Sequence, residues 1–184
     1  MDENSAISIR HKADMLMSDG RPDEAALLYR KLLDEEPDDD SHLLGLAWAL
    51  NDSGDKTEAI ECFEQLFSRE LKRSILTGFA YDELVRIYRE EKNWGALISV
   101  CRSAAEKYPD DAGFLQTLGE AYLGAGMASD AVAAFTRLNN LDKDARESWC
   151  ALGGALIAAG NVEKGGNDLA AKTLEGIKAL LPKD

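Results

Sequence analysis

The chain repeats itself with a period of 34 residues. The marker is Gly-x4-Ala, present as Gly20 with Ala25, Gly54 with Ala59 and Gly126 with Ala131. Gly160 with Gly165 and Lys92 with Leu97 sit in the same phase with changed letters. From Gly20 onward the steps to Gly54, Lys92, Gly126 and Gly160 are 34, 38, 34 and 34 residues. A fixed period in this range implies a stack of supersecondary units, each of which buries its apolar face only against its neighbours. Function in such a stack belongs on a surface shared by several units.

A frame opening at Ala6 divides the chain into repeats 6–39, 40–73, 78–111, 112–145 and 146–179, with an insertion at 74–77. The expectation is a single array over residues 1–184, with no second domain. Each repeat reads as two helices. In the fourth, Leu115, Leu118, Gly119 and Tyr122 recur at the spacing of one helix face, and Ala131, Phe135 and Leu138 form a second stripe beyond Gly126. The first repeats the scheme with Ile9, Ala13 and Leu16, then Gly20, then Ala25, Tyr29 and Leu32. Gly at the break suits the left-handed conformation that ends a helix. Pro22 and Asp23 suit a helix start, and Pro37 and Pro109 cannot continue a helix interior. Ala13, Ala47, Gly119 and Gly153 share one slot of the frame, and Ala25, Ala59, Ala131 and Gly165 another. Small side chains at those two levels let the paired helices approach closely.

This pattern resembles the tetratricopeptide repeat. Trp149, Leu152, Gly153, Leu156 and Gly160 stand where that family has its Trp-x2-Leu-Gly signature and turn. Leu115, Leu118, Gly119, Tyr122, Gly126, Ala131 and Phe135 carry it in the fourth repeat, and Ala13, Gly20, Ala25, Tyr29 and Pro37 in the first. The resemblance covers about nine tenths of the chain. It implies an all-α fold, an α-solenoid of antiparallel helix pairs wound as a right-handed superhelix, with about ten helices. The third repeat departs from it, with Lys92 for the turn glycine, Leu97 for the small residue and Cys101 for the aromatic. Next to it, the insertion predicts a longer helix or a kink near 70–80. The last helix offers Leu169, Leu174, Ile177 and Leu180 at helical spacing. Left uncovered, that stripe would support a homodimer through the C-terminal helix.

Composition narrows the function. A formal net charge of −13 excludes the basic face that nucleic acid requires and opposes an anionic membrane surface. It is compatible with a basic protein partner, but most soluble acidic proteins use such charge only for solubility. No apolar run reaches the ~20 residues of a membrane span, and the first residues lack the basic-then-apolar order of a signal peptide. Cys62, Cys101 and Cys150 have no paired spacing, which suits reduced thiols and a cytoplasmic location. His11 and His42 show no Cys or carboxylate at metal-ligand spacing, and no nucleophile has an evident base beside it. No cofactor, metal site or catalysis is therefore expected. The acidic run from Asp34 to Asp40 lacks the alternating ligands of a calcium loop and reads as a solvated turn.

The resemblance implies a concave groove lined by the first helix of each repeat. The stripe beside the buried one supplies its side chains. Trp48 occupies a groove slot where the repeat's own packing needs no large aromatic; Arg86 and Arg89 lie on the same stripe. Trp and Arg are enriched among residues that dominate binding energy. The alternatives are that Trp48 packs on the next repeat and that the arginines pair internally with Asp82, Glu90 or Glu120. Arg10, Trp48, Asn51, Arg86, Arg89 and Gln116 are the expected partner-binding residues. Family members that clamp a C-terminal carboxylate use Lys, Asn and Arg where this chain has Asp14, Leu44, Gly45, Phe79 and Glu83. That ligand is not expected. The leading expectation is a non-catalytic scaffold or adaptor that binds a peptide or helix of a partner protein. The alternatives are an assembly or secretion chaperone for a specific client, and a self-associating structural module.

Overall fold

The computed structural model describes residues 3–141 and 146–159, together with positions 173 and 175. Nine helices have full bounds among the described residues: α1 (Glu3–Ser18), α2 (Pro22–Glu35), α3 (Asp40–Ser53), α4 (Lys56–Arg73), α5 (Phe79–Glu90), α6 (Trp94–Lys107), α7 (Ala112–Gly124), α8 (Ala128–Leu141) and α9 (Arg146–Ala158). There is no strand among the described residues. The expected tenth helix, with Gly165 and the stripe Leu169, Leu174, Ile177 and Leu180, lies outside the described residues, and so does the homodimer expectation built on it.

Local chemistry sets the helix ends. Among the described residues, each break of the 34-residue phase is the same backbone device. The residue after the helix takes a positive φ, and the next N–H reaches back five residues to a carbonyl, closing the final turn. Gly20, Gly54 and Gly126 occupy the left-handed position at φ 71°, 95° and 74°. The returning bonds run from Arg21 to Leu16, Asp55 to Leu50 and Met127 to Tyr122, at 2.8–2.9 Å. Lys92 adopts φ 55° and keeps the pattern through the 2.9 Å bond from Asn93 N–H to the Tyr88 carbonyl. Ser74 does the same at φ 56°, with Ile75 N–H on the Glu70 carbonyl. Helix starts are capped by Asp39, Asn93 and Asp111, whose side chains accept N–H bonds from the first turns of α3, α6 and α7. Pro22 opens α2.

The described helices form two compact units that part between Leu84 and Val85, within α5. In the first unit α1 packs on α2, α2 on α3 and α3 on α4, and α1 also touches α3. In the second α6 packs on α7, α7 on α8 and α8 on α9, and α7 also touches α9. Within each unit these helices lie against their sequence neighbours, and the first helix of one pair touches the first helix of the next. This is the packing order of an all-α solenoid of helix pairs. The small-residue slots do close the crossings: Ala13, Ala25, Ala47, Ala59 and Ala131 are fully buried. At Gly119 a Cβ would stand 2.5 Å from the Phe135 ring, and at Gly45 it would stand 2.4 Å from the Tyr29 ring. In both places an aromatic rests directly on the backbone of the neighbouring helix. Fully buried Leu32, Phe63, Leu97 and Phe135 each add about 1.5–3 kcal/mol by leaving water. That outweighs the ~1–2 kcal/mol strain of a side chain at a left-handed stop.

The insertion lengthens a helix, as expected. α4 has 18 residues against 14 in α2 and α6. The four residues Ser74–Thr77 then bring Thr77 back to the helix end, where its N–H and hydroxyl donate to Glu70, a buried carboxylate.

Candidate functional site

In the first unit three helices meet at a concave surface. From α1 come Arg10, Asp14 and Met17, from α2 Tyr29, and from α3 Leu44 and Trp48. They enclose a cavity of about 230 Å³. Gly45 decides its depth, because the missing Cβ lets the Tyr29 ring lie against α3. The Tyr29 hydroxyl then donates to the Asp14 carboxylate across the floor. Burial is the main reason that the Tyr29 phenol is pushed well above its usual value; the bond to Asp14 and that carboxylate's charge add to it, and Arg10 opposes. The floor is a neutral phenol holding an acid, and Arg10 is the cation at its edge.

Trp48 stands at the mouth. Its indole meets Phe79 edge-on, with ring centroids 6.0 Å apart and planes at 81°. Trp48 keeps 37% of its surface exposed and Phe79 53%. Of the two readings of Trp48 from the sequence, packing on the next repeat is the one this contact meets. The indole packs on the start of α5 and still presents a face to solvent. Asn51, one turn further along α3, is half-buried, and its amide donates to Asp52.

A second cavity, about 250 Å³, lies beside the first on the other side of Leu44. Leu66, Ile75 and Phe79 form its apolar walls, and Glu70 lies at its base. At its rim Asp40 pairs with Arg73 and, at 3.3 Å, with Arg69. The insertion supplies Ile75 and Thr77 to this cavity, so the helix periodicity does not foreshadow it.

In the second unit the remaining expected residues are each engaged with a carboxylate. Arg86 binds Glu90 at 3.1 Å, and Arg89 on α5 binds Glu120 on α7 at 3.0 Å. Gln116 donates to the other oxygen of Glu120 at 2.7 Å. Arg89 and Gln116 thus share one carboxylate, so a ligand acid would have to displace Glu120. These pairs are about half exposed and worth little each, ~0–1 kcal/mol, so exchange is feasible.

One expectation needs correction. His42 does have carboxylates beside it. Its Nδ1 lies 3.6 Å from Glu36 and 4.0 Å from Asp39. Pro37 turns the chain so that Glu36, the last cap of α2, faces the first turn of α3; six residues of sequence separation hid the contact. His11 is exposed on α1. No helix among the described residues is long and apolar enough to cross a membrane.

Comparisons with known proteins agree with this architecture. The tetratricopeptide repeat family profile matches residues 16–74, about a third of the chain. No curated protein matches the chain in sequence. Among solved structures, MamA residues 41 to the end from Desulfovibrio magneticus RS-1 is 21% identical, over 95% of this chain and 94% of that one, with a TM-score of 0.59. MamA of AMB-1 is 18% identical, over 99% of this chain and 100% of that one, with a TM-score of 0.64. A further MamA crystal structure is 19% identical, over 98% and 92%, with a TM-score of 0.65. At these identities the likeness is one of fold. Residues 16–74 therefore match the tetratricopeptide repeat in sequence, and the described helices share the fold of the MamA structures.

Proposed function

We propose that the chain is a non-catalytic scaffold that takes up a peptide or helix of a partner protein in the cavity between α1, α2 and α3. The observation that carries this reading is the half-open aromatic pair of Trp48 and Phe79 beside a preformed cavity floored by Tyr29 and Asp14. An apolar side chain of the partner fits between Met17, Leu44 and Trp48. Arg10 offers a charged hydrogen bond at the edge, and Asn51 a polar contact one turn away. In the second unit, Arg86, Arg89 and Gln116 are candidates for polar contacts of their own, made by exchange with Glu90 and Glu120. The excess of acids over bases favours a basic partner, whose approach the field would accelerate. Because helices hold the floor and walls, little ordering is needed on binding.

The test begins with a peptide selected from a random display library on the wild-type chain. Its affinity is then measured for Trp48→Ala and Arg10→Ala proteins whose circular dichroism is unchanged. Trp48→Ala should weaken binding by about 2 kcal/mol, some 30-fold. Peptides that bind a folded Trp48→Ala protein at full strength would place recognition elsewhere. A mass that rises with concentration and no selectable peptide would favour self-association.

A further inference from the structure

The turn between α2 and α3 carries an arrangement that peptide binding does not use. His42 is 4% exposed, and its Nδ1 has no hydrogen-bond partner. A buried polar atom without a partner costs about 1–3 kcal/mol unless something meets it. The imidazole is directed at two carboxylates, Glu36 and Asp39, both beyond hydrogen-bond reach at 3.6 and 4.0 Å. One donor atom from each of the three residues falls within 4.8 Å of the others.

We propose that Glu36, Asp39 and His42 form a binding site for a first-row divalent transition metal ion, with Zn²⁺ as the fitting member. Of the two separations from Nδ1, 3.6 Å fits the ion and 4.0 Å lies outside it. Zinc bonds of ~2.0–2.2 Å to imidazole nitrogen and carboxylate oxygen place two tetrahedral ligands about 3.4 Å apart. The Nδ1–Glu36 distance is already close to that, and Glu36 is half exposed and free to adjust. Asp39 is fixed in advance. As the cap of α3 it accepts bonds from the N–H groups of Ser41 and His42 and from the Ser41 hydroxyl. Neither Glu36 nor Asp39 pairs with a Lys or Arg among the described residues, whereas adjacent Asp40 is taken by Arg69 and Arg73. The half-exposed carboxylates leave the remaining coordination positions to water. The imidazole favours Zn²⁺, Ni²⁺ or Co²⁺ over Mg²⁺ and Ca²⁺, which take oxygen ligands.

The experiment is calorimetric titration of the whole chain with Zn²⁺, and separately with Mg²⁺ and Ca²⁺, followed by nitrogen-15 spectra of the two histidine side chains. Zn²⁺ should bind with a stoichiometry of one and move the His42 signals while those of His11 stay in place. Glu36→Gln alters a half-exposed side chain and keeps the fold, and should weaken Zn²⁺ at least tenfold. His42→Gln should abolish binding where circular dichroism shows it folded. Unchanged affinity in Glu36→Gln, a response at His11 instead of His42, equal binding of Mg²⁺ or Ca²⁺, or no Zn²⁺ uptake at millimolar concentration would each overturn the proposal.

Discussion

Replacing Lys92 by glycine should make the protein more stable. Lys92 holds φ 55° at the stop between α5 and α6, the position that glycine fills after α1, α3 and α7. A side chain in that conformation costs about 1–2 kcal/mol, because its Cβ crowds the following carbonyl. Glycine removes the crowding but gives the unfolded chain extra freedom, worth about 0.5–1 kcal/mol. The difference leaves a gain of about 0.5–1 kcal/mol. The side chain is exposed, and the stop's 3.2 and 2.9 Å bonds come from backbone N–H groups, so neither is lost. Urea unfolding followed by circular dichroism reads the change. With a slope of ~1–3 kcal/mol/M the midpoint should rise by a few tenths molar at constant slope. Gly126→Lys is the reverse experiment. Gly126 has φ 74° and nothing within 4 Å of a Cβ built there, so the loss should be of similar size and of backbone origin alone. A Lys92→Gly midpoint that stays or falls, while Gly126→Lys behaves as expected, would refute strain at the stop.

Other outcomes follow from the packing and the caps. Gly119→Ala drives a methyl into the Phe135 ring and should cost about 1–3 kcal/mol in urea unfolding, part of it recovered by adding Phe135→Leu. Asp39→Ala removes the cap of α3 and should cost about 0.5–2 kcal/mol near neutral pH. The Asp39 carboxyl is held below its usual value, so its contribution is complete above pH ~3.9 and is lost as pH falls through the lower folded value. Wild type and variant should therefore converge in acid unfolding. A thiol dye should label exposed Cys150 first and reach Cys62 and Cys101, both buried, only as the chain opens. Burial, with Glu58 adding to it, pushes the Cys62 thiol up to about 11. The unfolded thiol ionises near pH 8.5, so stability should decline as pH rises past that value, and a Cys62→Ala protein should decline less.

The helices were legible because their signals are local. Gly20, Gly54 and Gly126 each require a backbone conformation that few residues adopt, and the alanines of the two small slots mark crossings set by helix geometry. Lys92 was legible only through its phase, since the residue itself argues against the conformation it holds. The site was less visible. Trp48, Arg10 and the acid partners of Arg86 and Arg89 follow from placing residues on a helix face. The Tyr29–Asp14 floor joins residues 15 apart on different helices, and its formation depends on the absence of a side chain at Gly45. Glu70 reads as a surface acid on α4 until the insertion folds Thr77 over it. His42 reads as an isolated imidazole until Pro37 turns Glu36 toward it. Each of these depends on where two elements meet, which periodicity does not encode.

The two left-handed stops without glycine, Ser74 and Lys92, bracket α5 on both sides. Strain in the link that leads into α5, and at its own C-terminal stop, lowers the free energy needed to release it alone. Amide protons along α5 should then exchange with deuterium by local opening, ahead of α3 or α7, whose ends are relaxed. The same 12-residue helix carries Phe79, Arg86 and Arg89. The side chains proposed to meet a partner on this helix therefore belong to a segment expected to open early, and a bound partner should be registered there as slowed exchange.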